Sequence, residues 1–322
     1  MNTRAPLVLL TAALVSAAGA HAQANYPTRP IRIVIPYAPG GGTDILARFI
    51  SPRMGQELGQ QVVIDNRPGG NSIIGTQIVA RAAADGYTIG MIDISFTINQ
   101  ALFPKLPYDA VKDFAPITLM ASSPLVLMVH PSVEAKSVKE LIALAKARPG
   151  ALTYSSPGTG GAGHIAFEQF AHVAGVKLTH IPYKGAAPAS ADLIAGQVQM
   201  AMIAPSVLMQ QIKAGRVRAL AGTGARRIGA LPDVPALAEV GLAGVDTGTY
   251  WGAIAPAGMP LSIVTRLNQQ IVKHLHASDL RDRLSDLNMD LVCNKPEEFG
   301  GFIQSEVAKF RKIIHDAGIK IE

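Results

Sequence analysis

Disulfides are excluded from this chain of 322 residues, because Cys293 is its only cysteine. With no internal cross-link available, packing alone has to hold the fold. Aromatic residues are scarce at 5%, and the basic residues are dispersed. That combination argues against a nucleic-acid surface, where positive charge clusters. Charged residues make up 16% and hydrophobic ones 48%, too little charge for a disordered chain and enough apolar material for buried cores. Beyond residue 24 no run approaches the ~20 apolar residues that cross a bilayer. No internal repeat of solenoid or propeller period is present. Neither a G-x-S-x-G elbow nor a G-x-x-x-x-G-K-[ST] phosphate loop occurs.

What is present begins with a leader pattern. Arg4 supplies a positive start, Leu7 to Ala18 is apolar, and Ala20-His21-Ala22 and Ala22-Gln23-Ala24 are small-x-small cleavage motifs. Residues 1–24 therefore read as a secretory signal peptide, with an N-terminal membrane anchor as the alternative. No cysteine stands near the cleavage site to carry a lipid. Removing the leader takes away one base and no acid, leaving 28 basic against 23 acidic residues and a net charge of +5. Such a charge favours anions mildly. The length fits two domains on a soft prior of ~150 residues each, and 31 glycines with 22 prolines point to many tight loops.

Strand, loop and helix then alternate. Ile31 to Pro36 reads as a strand, and a helix starts at Ile45 after Thr43 or Asp44 as its cap, with Pro52 expected to kink or interrupt it. Gln61 to Asp65 and Tyr87 to Ile92 read as strands around a helix from Ser72 to Ala84. After Pro124 the pattern resumes: strands at Leu125–Val129, Leu152–Tyr154, Leu178–Ile181, Val198–Ile203 and Val217–Ala221, and helices at Ser137–Ala147, Ala162–Ala174, Ala187–Ala195 and Ser206–Ala214. A strand at Gly252–Ala255 and helices at Leu261–His276 and Pro296–Ala317 close the chain. This alternation predicts parallel sheets covered by helices. Crossings between two α/β units are expected at Met120–Pro124 and Thr247–Trp251. Cys293 reads as a strand core residue.

Two strand-to-helix loops carry the chemistry. In Tyr37-Ala38-Pro39-Gly40-Gly41-Gly42-Thr43-Asp44, glycines let the backbone approach a ligand, and the N–H groups of the next helix carry partial positive charge. Ser155-Ser156-Pro157-Gly158-Thr159-Gly160-Gly161-Ala162-Gly163-His164 repeats the arrangement with hydroxyls added. Each is suited to a carboxylate or phosphate, or is a plain glycine-rich connector. The second loop contains G-x-G-x-x-G at Gly158, Gly160 and Gly163, but no acid follows at the end of the next strand, which weakens a dinucleotide reading. His164 reads as a capping or structural residue. His164, His172 and His180 do not have zinc spacing. Asp65, Asp93 and Asp192 are isolated acids, and Trp251 reads as a packing anchor.

Further segments occur in a fixed order: Tyr26-Pro27-Thr28-Arg29-Pro30-Ile31, Asp65-Asn66-Arg67-Pro68-Gly69-Gly70, Ala84-Asp85-Gly86-Tyr87-Thr88, Leu106-Pro107-Tyr108-Asp109, His180-Ile181-Pro182-Tyr183-Lys184-Gly185 and Leu231-Pro232-Asp233-Val234-Pro235. Together with the first loop and Ala255-Pro256-Ala257-Gly258, they resemble the solute-binding receptors of tripartite tricarboxylate transporters, the Bug family. The resemblance implies an α/β, two-lobed type II periplasmic binding protein fold (a Venus flytrap) joined by crossover strands. Lobe one would comprise residues 25–123 and 252–322, and lobe two residues 124–251. It implies a periplasmic monomer that is no enzyme, uses neither metal nor cofactor, binds no nucleic acid, and hands a small carboxylate to membrane permease subunits. A ligand-presenting role toward a sensor, or an exported α/β enzyme, are the alternatives. The implied ligand residues are Tyr37, Gly41, Gly42, Thr43 and Asp44 in the first loop and Ser156, Thr159, Gly160 and His164 in the second. Ser95 and Phe96 would also face the cleft, with Phe96 either an apolar wall or a core residue. Relatives often carry an acid or amide where this chain has Ile203, which implies a ligand without a free α-amine.

Overall fold

The computed structural model describes residues 26–316, so the expected leader at residues 1–24 lies outside the described residues. Two sheets flanked by helices form the two lobes that the resemblance implies. The first sheet has the order β11-β4-β10-β3-β1-β2. It comprises β1 (Ile31–Ile35), β2 (Val62–Asn66), β3 (Thr88–Asp93), β4 (Phe114–Ser123), β10 (Thr249–Pro256) and β11 (Asp290–Leu291). The second, ordered β7-β6-β8-β5-β9, comprises β5 (Val126–Val129), β6 (Thr153–Ser156), β7 (Thr179–Pro182), β8 (Met200–Ile203) and β9 (Arg218–Gly222).

The expected parallel pairing holds only in part. β1 runs parallel to β2 and β3, and β6 parallel to β7 and β8. β10 is antiparallel to β3 and β4, and β5 to β8 and β9. Both exceptions enter their sheet directly from the other lobe. No βα crossover turns the chain round first, so they run against their neighbours. β4 passes into β5 through Pro124 and Leu125 alone. There the Leu125 N–H donates to Thr223 Oγ1 at 2.9 Å, and the Thr223 N–H donates to the Leu125 carbonyl at 2.8 Å.

α1 (Gly42–Leu58) buries Leu46, Ile50, Met54 and Leu58, an i, i+4 stripe on the first sheet. It starts three residues before the expected position, with Gly41 as N-cap and no side-chain cap. It also runs unbroken through Pro52, the buried stripe holding it on the sheet across the one N–H that proline lacks. α2 (Ile73–Ala80) is shorter than expected. β4, α3 (Ser95–Leu102) and α9 (Ser278–Asp286) were not foreseen. Only Ile94 separates α3 from β3, with no glycine or proline to punctuate the change. α4 (Val138–Ala147) has the Ser137 cap in place, its Oγ accepting the Glu140 N–H at 3.2 Å. α5 (Ala162–Ala174) matches its expected span. α6 (Ala186–Ile194), α7 (Pro205–Lys213), α8 (Leu261–Leu275) and α10 (Pro296–Asp316) complete the helices. Cys293 is no strand residue: β11 ends at Leu291, and Cys293 is half-buried with φ 53° and its Sγ 3.6 Å from the Met120 carbonyl. Among the described residues no helix is long and apolar enough to cross a membrane.

Candidate functional site

The loops after β1, β6, β7 and β8 leave the carboxyl ends of their strands, where open α/β sheets present their ligand sites. Four helices start there, α1, α5, α6 and α7, with N-caps Gly41, Gly161, Gly185 and Ala204, and none is capped by a side chain. Their first turns line one cavity of about 40 Å³ through Gly42, Thr43, Ala162, Gly163, Ala186 and Val207. The N–H groups of Gly42, Thr43, Ala162 and Gly163 make no hydrogen bond to the loops before them, as expected of a first helical turn. No lysine, arginine or histidine lines the cavity. Among the described residues that line it, the groups that favour an anion are therefore the backbone N–H groups at the helix starts.

The first-lobe wall adds Tyr37, Asp93, Thr249 and Trp251. Asp93 ends β3 and sits directly opposite Trp251 of β10. On its other side β10 has a register shift against β4 between Trp251 and Gly252, the kind of irregularity that re-aims a side chain beside a site. The indole packs on Gly42, where an added Cβ would come within 2.4 Å of the ring. Asp93 Oδ1 accepts from the Tyr37 hydroxyl at 2.6 Å and from the Ser95 N–H at 2.8 Å. Burial raises the Asp93 carboxyl above its ordinary pKa, and the bonds from Tyr37 and Ser95 offset this only in part. Burial likewise pushes the Tyr37 phenol well up, with Asp93 adding to the effect. The opposite wall is apolar: Leu125, Met202, Ile203, Ala204 and Val207.

Of the expected residues, Tyr37, Gly41, Gly42, Thr43 and Ile203 meet in this cavity. Thr159 lines a second cavity of about 210 Å³ that shares Tyr37 and Pro157 with the first. Ser95 stands at the lobe contact, its Oγ 3.7 Å from where a Cβ on Gly161 would lie. The others are turned inward. Asp44 Oδ2 accepts from the Gly40 N–H at 3.0 Å and Arg48 Nε at 2.7 Å, and Oδ1 from Asn66 Nδ2 at 3.1 Å. Burial would raise this carboxyl, but bonds from Arg48, Gly40 and Asn66 together hold it below its ordinary value. Asp44 thus shapes the first loop from behind. Phe96 is fully buried against Tyr108 and Phe114 and is core, not cleft wall. Ser156 Oγ bonds Gly158 and lies 2.7 Å from His180 Nε2, while the Gly160 N–H donates to His164 Nδ1 at 3.0 Å. These side chains shape the second loop. The acids read as isolated all have partners: Asp65 with Arg32 and Arg67, Asp93 with Tyr37, and Asp192 with Tyr183. Among the described residues no group of three His, Cys, Asp or Glu is placed to hold a metal.

Residues 46–319 match the tripartite tricarboxylate transporter family receptor. The chain belongs to that family. A curated relative from a Pseudomonas species, encoded in the tcbD-tcbE intergenic region, is 39% identical over 290 residues, covering 90% of this receptor and 86% of the relative. Protein BugT of Bordetella pertussis is 32% identical over 300 residues, covering 92% of each chain. Among solved structures, an R. palustris protein with adipate superposes with a TM-score of 0.88 at 34% identity, covering 92% of the receptor and 99% of that chain. MatC of Rhodopseudomonas palustris with bound malate gives 0.86 at 30%, covering 90% and 100%. The receptor is accordingly a solute-binding protein and not an enzyme.

Proposed function

We propose that the receptor captures a small carboxylate lacking a free α-amine between its lobes in the periplasm, and delivers it to the permease subunits of a tripartite transporter. The convergence of four helix N-termini, none capped by a side chain, on one cavity carries the reading. Partial positive charges at helix ends stabilise an anion there without any cationic side chain. The same charges disfavour an ammonium, and Ile203 offers it no acceptor. Adipate and malate in the related structures support the carboxylate class. The division into residues 25–123 with 252–322 and residues 124–251 belongs to this reading, since closure needs two bodies that move about the Pro124–Leu125 and Thr247–Trp251 crossings.

A thermal-shift screen of mono-, di- and tricarboxylates, amino acids and amides tests it. A ligand at ~100 times its dissociation constant adds about 2.7 kcal/mol, which raises the midpoint by several degrees. Amine-free carboxylates are expected to shift the midpoint and amino acids to leave it in place. A shift from amino acids alone overturns the reading.

A further inference from the structure

The run Gly158-Thr159-Gly160-Gly161 follows β6 of the second sheet, yet its glycines face the first lobe. A Cβ on Gly158 would lie 2.5 Å from Asn71 Oδ1. One on Gly160 would lie 2.8 Å from Leu102 Cδ2 and 3.2 Å from Asn71 Nδ2. Asn71 comes from the loop between β2 and α2, and Leu102 from the end of α3. Swinging aside would cost the Asn71 side chain its own anchor. Its Nδ2 donates to Asn99 Oδ1 at 2.6 Å, and Asn99 Nδ2 donates in return to the Asn71 carbonyl at 2.8 Å and to Ser72 Oγ at 3.2 Å. Asn99 is fully buried on α3. Asn71 has φ 53°, in the left-handed region that asparagine tolerates better than most residues. The side chain is thus tied to its own lobe and set against two glycines of the other.

We propose that Asn71 is the seat on which the second lobe closes, a positioning residue for ligand capture, and that Gly158 and Gly160 lack side chains in order to receive it. This rests on the receptor closing its lobes around a carboxylate. Contacts that cross the cleft belong to the closed form, and apparent affinity scales with the fraction of molecules in the binding-competent form. The seated run leads directly into α5, whose first residues, Ala162 and Gly163, line the cavity. Where the run comes to rest on Asn71 therefore sets where the α5 N–H groups stand against the helix start of the first lobe. The Gly160 N–H is itself given to His164 Nδ1 at 3.0 Å, so that residue serves the shape of the loop. The G-x-G spacing of this segment has a steric use: it lets another backbone and its side chain come close.

The test is a double-mutant cycle on the full receptor. Trp251, the only tryptophan in the chain, lines the cavity, so its fluorescence follows titration with adipate and with malate. Asn71→Gly keeps the left-handed backbone and removes the seat; it is expected to weaken binding roughly three- to tenfold, the size of one polar contact. Gly158→Ala, whose new methyl strikes Asn71 Oδ1, should weaken it roughly five- to hundredfold, as an overpacked contact does. In the Asn71→Gly background the cost of Gly158→Ala should shrink by about fivefold or more, because the atom it strikes is gone. Any backbone cost at Gly158 is common to both backgrounds and cancels. Gly160→Ala, which meets Leu102 and sits at φ 79°, should stay costly in both. Thermal midpoints confirm that each variant is folded. Small-angle scattering gives a second answer without touching Asn71: at saturating ligand Gly158→Ala should keep a larger radius of gyration than wild type. Wild-type affinity in Asn71→Gly, or an equal cost of Gly158→Ala in both backgrounds, overturns the proposal while leaving the carboxylate reading intact. If no carboxylate binds wild type, that reading falls and this proposal falls with it.

Discussion

His164 and His180 stack with ring centroids 4.2 Å apart, and His180 also stacks on Tyr154 at 4.9 Å. Burial lowers the pKa of both; for His180, pushed down to about 3, the neighbouring His164 adds to the effect. Both rings therefore stay neutral in the folded receptor at pH values where the unfolded chain protonates them. The unfolded state binds more protons below about pH 6.5, so stability is full above that pH and falls as pH drops toward the folded pKa. Each such histidine contributes a slope of up to about 1.4 kcal/mol per pH unit. His180→Gln is expected to flatten the fall in thermal midpoint between pH 6.5 and 4.5 by roughly one histidine's share. An unchanged slope would show that the pair does not govern acid lability.

The elements supply the site through their ends, which makes the approach of α5 to β8 critical. A Cβ on Gly163 would lie 2.4 Å from the Met202 carbonyl oxygen, a backbone atom with nowhere to move. Gly163→Ala is expected to cost about 1–3 kcal/mol as an overpacked contact. It should also weaken ligand binding, because relief of the clash draws the α5 N–H groups off the cavity. Gly301, exposed within α10 and with nothing within 4 Å of an added Cβ, is the contrast. There Gly→Ala should stabilise by about 0.5–1 kcal/mol through backbone entropy. Urea unfolding of both variants checks the pair, and a neutral Gly163→Ala would remove the steric argument.

At the scale of the whole molecule, the lobes are closed on each other. The Ala38 N–H reaches the Lys184 carbonyl across the cleft at 3.1 Å, and a Cβ on Gly41 would lie 3.8 Å from that of Ala186. Gly41 has φ −81°, so any residue can adopt its backbone, and only the room in front of it is limited. Alanine fits at ordinary contact distance, whereas leucine would push against the second lobe. Small-angle scattering with saturating ligand should show Gly41→Leu held at a larger radius of gyration than wild type, and Gly41→Ala unchanged. Equal compactness of the leucine variant would argue that closure does not bring these two positions together.

The amino-acid sequence by itself determined the lobes' α/β character, the two glycine loops and the helix ends behind them. Those features are local: a strand, a run of glycines and an amphipathic helix fix backbone donors within a dozen residues. Gly41, Gly42 and Thr43 were legible for that reason. Tertiary structure alone decided which side chains share the cavity. Asp93 and Trp251 are 158 positions apart and meet only because β10 returns from the other lobe to pair antiparallel with β3. Asp44, Ser156 and His164 stand in the right loops, yet hydrogen bonds turn them behind the backbone they support. Spacing along the chain carries no record of either outcome, because both depend on strand pairing and on which donors a folded loop leaves nearest.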